Sequence, residues 1–136
     1  MATRINVNSN ELDWCPADDV FDSYHLDTSA TGDADAGIFV KVLRRPDDGG
    51  GCWHCLLRFR PPAGHAIRIT AVAQSDEEVF FLSSGDGREG VYGCNPQGLR
   101  HGQTVTTDTI VLAHYHGEPD DVLRAELVPL DAIASR

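Results

Sequence analysis

Glycine, proline and acidic residues interrupt this chain at short intervals, in clusters at Thr31 to Gly37, Pro46 to Gly51, Pro61 to Gly64, Ser83 to Gly90, Asn95 to Gly98 and Gly117 to Asp121. Such punctuation stops helices and sets tight turns. The apolar runs left between the clusters are too short for ordinary helices. Ile38 to Arg44, Cys52 to Arg60, Ala66 to Ala73, Val79 to Ser83 and Thr109 to His116 are rich in β-branched, aromatic and leucine side chains, and read as strands. Gly49-Gly50-Gly51 lies between two of them and reads as a hairpin tip. Only the ends are ambiguous: Asn10 to Asp22 and Asp120 to Arg136 each have room for a helical turn, with Pro129 limiting the second. Short strands joined by tight turns predict an all-β sandwich or barrel of antiparallel strands.

A chain of 136 residues, 41% hydrophobic, is long enough for one domain with a substantial core and too short for two ordinary ones. We therefore expect a single domain over 1–136, with an N-terminal arm over about 1–36, a barrel core over about 37–118 and a C-terminal segment over 119–136. The formal net charge of −10 repels polyphosphate backbones and anionic headgroups, which argues against nucleic acid and membrane surfaces as partners. The first ten residues contain no apolar leader segment, and no window approaches the roughly 18 apolar residues of a membrane span. A soluble, cytoplasmic protein is the expectation. Its four cysteines, Cys15, Cys52, Cys55 and Cys94, read as free thiols, since a core of this size needs no staples.

Two spaced patterns run from Asp76 to His101: Glu78-x6-Gly85, then Gly90-x5-Pro96-x-Gly98-x2-His101. Pro96-Gln97-Gly98 predicts a sharp turn that delivers His101 at the start of a strand. Together the patterns resemble halves of the two cupin signature motifs. Trp14, Gly37-Ile-Phe-Val-Lys-Val-Leu43, Pro62-Ala-Gly64 and Gly117-Glu118 also look like the RmlC-like single-domain cupins of the acetylacetone-cleaving and anti-sigma-factor types. The resemblance implies a jelly-roll β-barrel, commonly a homodimer, in which the Glu and the His converge with an upstream His-x-His pair to hold a metal. Edge protection also favours pairing of two copies; light scattering at micromolar concentration checks this, a dimer being the expected result.

The chain departs from that pattern in two places. Only Asp86-Gly87-Arg88-Glu89 separate the motifs, and the His-x-His pair is missing. Counting back from Glu78 puts the pair at Val72 and Gln74, and counting forward from Gly64 puts it at Thr70 and Val72. Valine cannot bind a metal, and glutamine or threonine oxygen is a weak ligand beside imidazole. Other donors are available. His114 and His116 sit two apart and share one strand face, and His65 follows Gly64 at a strand entrance. A shifted set of His101 and Glu78 with Gln74, His65, His114 or His116 is the candidate site for an Fe, Zn, Ni or Mn ion. No cofactor is the favoured expectation. His54 lies in Cys52-Trp53-His54-Cys55, but residues three apart on a strand face opposite ways and no second Cys-x-x-Cys completes a zinc site.

Without a metal, Glu78 in an apolar barrel would have its charged form disfavoured and His101 titrates near neutrality, a pair suited to proton transfer. Arg68, Thr70 and Gln74 share a strand face and are candidate substrate anchors. Tyr92, Trp53 and Phe80 are candidate cavity walls, and each serves equally as a core side chain. Three functions follow: an acid/base enzyme of isomerase, cyclase, lyase or hydrolase type acting on a small molecule; a metal-dependent cupin oxygenase, such as a dioxygenase acting on a carbonyl compound; or a non-catalytic binding cupin.

Overall fold

The computed structural model describes residues 4–134. Nine strands and one short helix follow in order: β1 (Cys15–Pro16), β2 (Gly37–Arg44), β3 (Trp53–Arg60), β4 (His65–Val72), β5 (Glu77–Ser84), β6 (Tyr92–Asn95), β7 (Arg100–Val105), β8 (Thr109–Tyr115), β9 (Asp121–Pro129) and α1 (Leu130–Ala134). They form a six-stranded sheet ordered β1-β2-β3-β8-β5-β6 and a three-stranded sheet ordered β7-β4-β9. Every pairing between them is antiparallel. No described helix is long and apolar enough to cross a membrane.

The core lies between the sheets because strand alternation sends one side-chain set inward. Cys55, Leu57 and Phe59 of β3, Val111, Ala113 and Tyr115 of β8, and Ile67 and Ile69 of β4 meet there. Residues before β2 also join it, for Ala17, Phe21 and Tyr24 are buried. The Phe21 ring sits 5.1 Å from those of Tyr24 and Trp53, and 5.9 Å from Tyr115. Part of the expected arm is thus a plug for the barrel.

The sequence reading misses β6, β9 and the two-residue β1, whereas the strand it expects at His101 is present as β7. Asp120 to Arg136 has room for a helical turn, and among the described residues of that segment Leu130–Ala134 is helical while Asp121–Pro129 is a strand along β4. The β4–β9 register shifts between Thr70 and Ala71, where Leu123 is the extra residue. This bulge spaces the inward Val122, Ala125 and Leu127 by three and then two, which hides the two-residue period. β6 and β7 are polar because their inner positions, Asn95, His101 and Gln103 among them, line a cavity rather than the dry core. As the sequence predicts, Pro96-Gln97-Gly98 turns the chain into β7, with Gly98 at φ 89° and Leu99 N–H donating to Pro96 O at 3.0 Å.

Beside His101, Gly102 lets β7 close onto β4. A Cβ there would sit 2.7 Å from the Ile69 carbonyl oxygen, a backbone atom that cannot swing away. Gly102→Ala is therefore expected to destabilise the fold by about 1–3 kcal/mol, read as a lowered urea midpoint.

Candidate active site

A cavity of about 180 Å³ opens between the two sheets. Leu57, Phe59, Ile69, Val79, Phe81 and Val111 make its apolar wall. At one end the polar groups gather: Glu77 from β5, Asn95 from β6, His101 from β7, Tyr115 from β8, Asp120 just before β9, and Tyr24 from the plug. Six separate segments therefore contribute, and only the closed barrel brings them together.

Glu77 and Asp120 are buried carboxylates, 4% and 6% exposed. His101 Nε2 lies 2.9 Å from Asp120 Oδ2 and 3.6 Å from Glu77 Oε1. The 2.9 Å approach is an ion-pair contact without the alignment of a hydrogen bond, and Asp120 Oδ1 is buried with no hydrogen-bond partner among the described residues. Asn95 Nδ2 donates to Glu77 Oε1 at 2.6 Å. Burial, and then the charge of Asp120, push the Glu77 carboxyl up to about 7, against the opposing effects of Asn95 and His101. Asp120 raises the affinity of His101 for its proton more than burial lowers it. Asp120 is itself fixed from the plug: Ser23 Oγ donates to its carbonyl at 3.3 Å and accepts from Val122 N–H at 3.0 Å.

Tyr24 and Tyr115 share a hydrogen bond of 2.5 Å between their hydroxyls. Burial raises both phenols well above their ordinary range, with the charge of Asp120 adding to Tyr24 and Tyr24 itself adding to Tyr115, so both stay protonated. One hydroxyl donates to the other, which leaves the acceptor's own hydrogen free for a ligand. Farther along the cavity, Arg88 stacks on Phe81 at 4.8 Å and donates to Gln103 Oε1 at 3.3 Å, bracing two wall residues from the short inter-motif loop.

Several residues singled out from the sequence lie elsewhere. Glu78 was expected to meet His101, but it points to the outer face and its neighbour Glu77 takes the inner place. The reason is register: Glu77 pairs with Tyr115, which faces inward, and Glu78 pairs with His114, which faces outward. Phe80 follows Glu78 outward and is 40% exposed, while Phe81 lines the cavity. Tyr92 is likewise outside, its hydroxyl donating to Glu78 Oε1 at 2.7 Å. On β4 the inward residues are Ile69 and Ala71, so Arg68 and Thr70 face away from the cavity. Gln74 donates to Pro119 O at 2.8 Å. Trp53 packs on Phe21 in the core rather than lining the cavity, and His65 bonds its own loop at Ala63 O, 3.0 Å away. His114 and His116 share a face as expected, but it is the outer one, away from His101.

Of the site residues, His101 was legible from the sequence, whereas Tyr24, Glu77, Asn95, Tyr115 and Asp120 were not. An aromatic pair within an acidic arm, Phe21 and Tyr24, was the signal available for the plug. The four cysteines are free, as expected. Burial and the Glu77 charge push the Cys55 thiol up to about 12, which removes it from thiolate chemistry.

Neither a protein-family model nor a curated protein sequence matches this chain. Among solved structures it is similar to an RmlC-like cupin protein from Ralstonia eutropha JMP134, with a TM-score of 0.53 and 13% identity, over 95% of this chain and 86% of that one. The fold is thus that of a cupin, an antiparallel all-β jelly roll. Counted from the inward Glu77 with the same spacing as before, the missing His-x-His falls on Ala71 and Ala73, both buried and neither able to ligate. The donors that do converge inside are one imidazole and two carboxylates: a ligand atom from each of Glu77, His101 and Asp120 lies within 4.8 Å of the others.

Proposed function

We propose that this cupin-fold protein is an enzyme that moves a proton on a small, uncharged carbonyl compound, with Glu77 as the acid/base group. The observation that carries the reading is the pair of buried carboxylates, Glu77 and Asp120, held against His101 at the end of an otherwise apolar cavity. A carboxyl near 7 exists in both forms at neutral pH, as general acid/base catalysis requires. The cavity, at about 180 Å³, is below the roughly 300–1,000 Å³ of sites for drug-sized ligands, which limits the substrate to a small molecule. Its two carboxylates disfavour an anion.

In the reaction the Glu77 carboxylate takes a proton from the carbon beside the carbonyl. The C–H electron pair moves into an enolate whose negative charge sits on oxygen. The free phenolic hydrogen of the Tyr24–Tyr115 pair and an N–H of His101 are the donors available to that oxygen. Glu77 then returns the proton, to the same carbon or to its neighbour, which gives exchange or isomerisation. Asp120 acts through the others, raising the proton affinity of Glu77 and of His101.

A metal-dependent reading has one observation in its favour. The unpartnered Asp120 Oδ1 and the clustering of Glu77, His101 and Asp120 fit a divalent ion. These three residues would hold it, and their carboxylate-rich set suits manganese or iron. Bound there, the ion would supply Lewis-acid polarisation of the carbonyl. Elemental analysis of protein purified without chelators, beside a His101→Ala variant, separates the readings: a stoichiometric ion lost in the variant supports the metal.

The proton-transfer reading is tested by NMR in deuterated water, following exchange at the carbon beside the carbonyl in a panel of small ketones and 1,3-dicarbonyls. Exchange accelerated by the protein for at least one of them is the expected result. No acceleration across the panel would sink the reading.

A further inference from the structure

The outer face of the six-stranded sheet carries a second group of chemistry-bearing side chains, walled off from the cavity by the sheet itself. Antiparallel register lines up Arg44 of β2 with His54 of β3, His54 with His114 of β8, His114 with Glu78 of β5, and Glu78 with Cys94 of β6. His116 lies just past the end of β8. The three imidazoles stack: His54 and His114 have ring centroids 3.9 Å apart, and His114 and His116 4.0 Å apart. Glu78 Oε2 receives two of them, His116 Nε2 at 2.7 Å and His114 Nδ1 at 3.2 Å. Its other oxygen accepts from Tyr92, which fixes the carboxylate's orientation.

We propose that this outer face is a binding site for a zinc-class divalent ion, held by Glu78, His114 and His116. The ligand atoms of these residues lie within 4.8 Å of one another. Two imidazoles and one carboxylate are a donor set that zinc, cobalt and nickel accept at ligand distances of about 2.0–2.2 Å. The ion takes the place of the contact between His116 Nε2 and Glu78 Oε2. Tyr92 is the hydrogen-bonded support that a ligating carboxylate usually has.

A second observation concerns His114 alone. It meets Glu78 through Nδ1, and its Nε2 is buried with no hydrogen-bond partner among the described residues, so with Nδ1 on the ion Nε2 carries the ring's proton. His114 also forms a second triad with Cys52 and His54. An exposed sheet face needs no stack of three histidines for folding, whereas a metal site needs several convergent nitrogens. The fourth coordination position would be open to solvent, as in zinc sites that keep a water.

The test uses the full chain, stripped of metal by chelator and dialysed, then titrated with Zn²⁺ by calorimetry and with Co²⁺ by visible absorption. We expect one ion per chain, with affinity at least tenfold weaker in His116→Ala and in Glu78→Gln, and unchanged in His101→Ala. His116 is half exposed beyond the strand end, so its replacement leaves the fold intact, which circular dichroism checks. Absence of binding at millimolar ion, or loss of binding in His101→Ala with retention in His116→Ala, overturns the site. A strong near-ultraviolet thiolate band with Co²⁺ that disappears in Cys52→Ser also overturns it, because the ion would then belong to the Cys52 triad. Failure of the carbonyl exchange reaction leaves this result untouched, since Glu78 and His116 lie outside the cavity.

Discussion

Glu77→Gln should stabilise the protein at pH 8 relative to the parent, by up to about 3 kcal/mol. Inside the barrel Glu77 has its pKa raised from 4.5 to about 7, so the folded state holds that proton more tightly than the unfolded chain does. Stability is then complete below about 4.5, falls as pH rises from there through about 7, and changes no further above it. At 1.36 kcal/mol per pKa unit the gap corresponds to about 3 kcal/mol, an upper figure because Asp120 shares the titration. Glutamine removes the charge that must be buried, and its amide oxygen can still accept from Asn95. Urea denaturation of both proteins at pH 5 and pH 8 reads the difference: the variant's advantage should be large at pH 8 and shrink toward pH 5. An advantage of equal size at both values would show that Glu77 is not held near 7.

The same substitution is expected to abolish function. If Glu77 carries the proton, Glu77→Gln lowers the rate of exchange beside the carbonyl by about 10²–10⁴-fold, the usual contribution of a positioned general base. Glu78→Gln, one residue along, should leave the rate within a factor of two, because that carboxylate faces outward with Tyr92 and His116. Measured on one ketone by NMR, the two variants make a matched pair. A large loss in Glu78→Gln, or retention of rate in Glu77→Gln, would refute the assignment. Greater stability coupled to lost activity is the pattern expected where a site holds a charge the fold would rather not bury.

These adjacent glutamates also show where sequence reading reaches its limit. Glu77-Glu78-Val79-Phe80-Phe81-Leu82 contains two interleaved alternations, Glu77-x-Val79-x-Phe81 and Glu78-x-Phe80-x-Leu82, each with one acid and two apolar residues. Either parity makes an amphipathic strand, and a shift of one residue exchanges the faces. The choice was made by β8: once Tyr115 packs against Phe21 and Tyr24, its partner Glu77 must face inward and His114 must bring Glu78 outside. The cupin-type spacing ending at His101 was legible because a turn such as Pro96-Gln97-Gly98 is written in local residue chemistry.

By itself the sequence determined the all-β jelly roll, the turn before His101 and the lack of histidines where the resemblance calls for a pair. The all-β class and the turn follow from side-chain period and glycine and proline placement, which act over a few residues, while the jelly roll and the place of the missing pair are what the resemblance implies. The tertiary structure alone decided which glutamate sees the cavity, that Asp120 and the Tyr24–Tyr115 pair complete the site, and that His54, His114 and His116 form a separate cluster outside. Each of these depends on strand register and sheet closure, interactions between residues as far apart as Tyr24 and Tyr115, which no local pattern encodes.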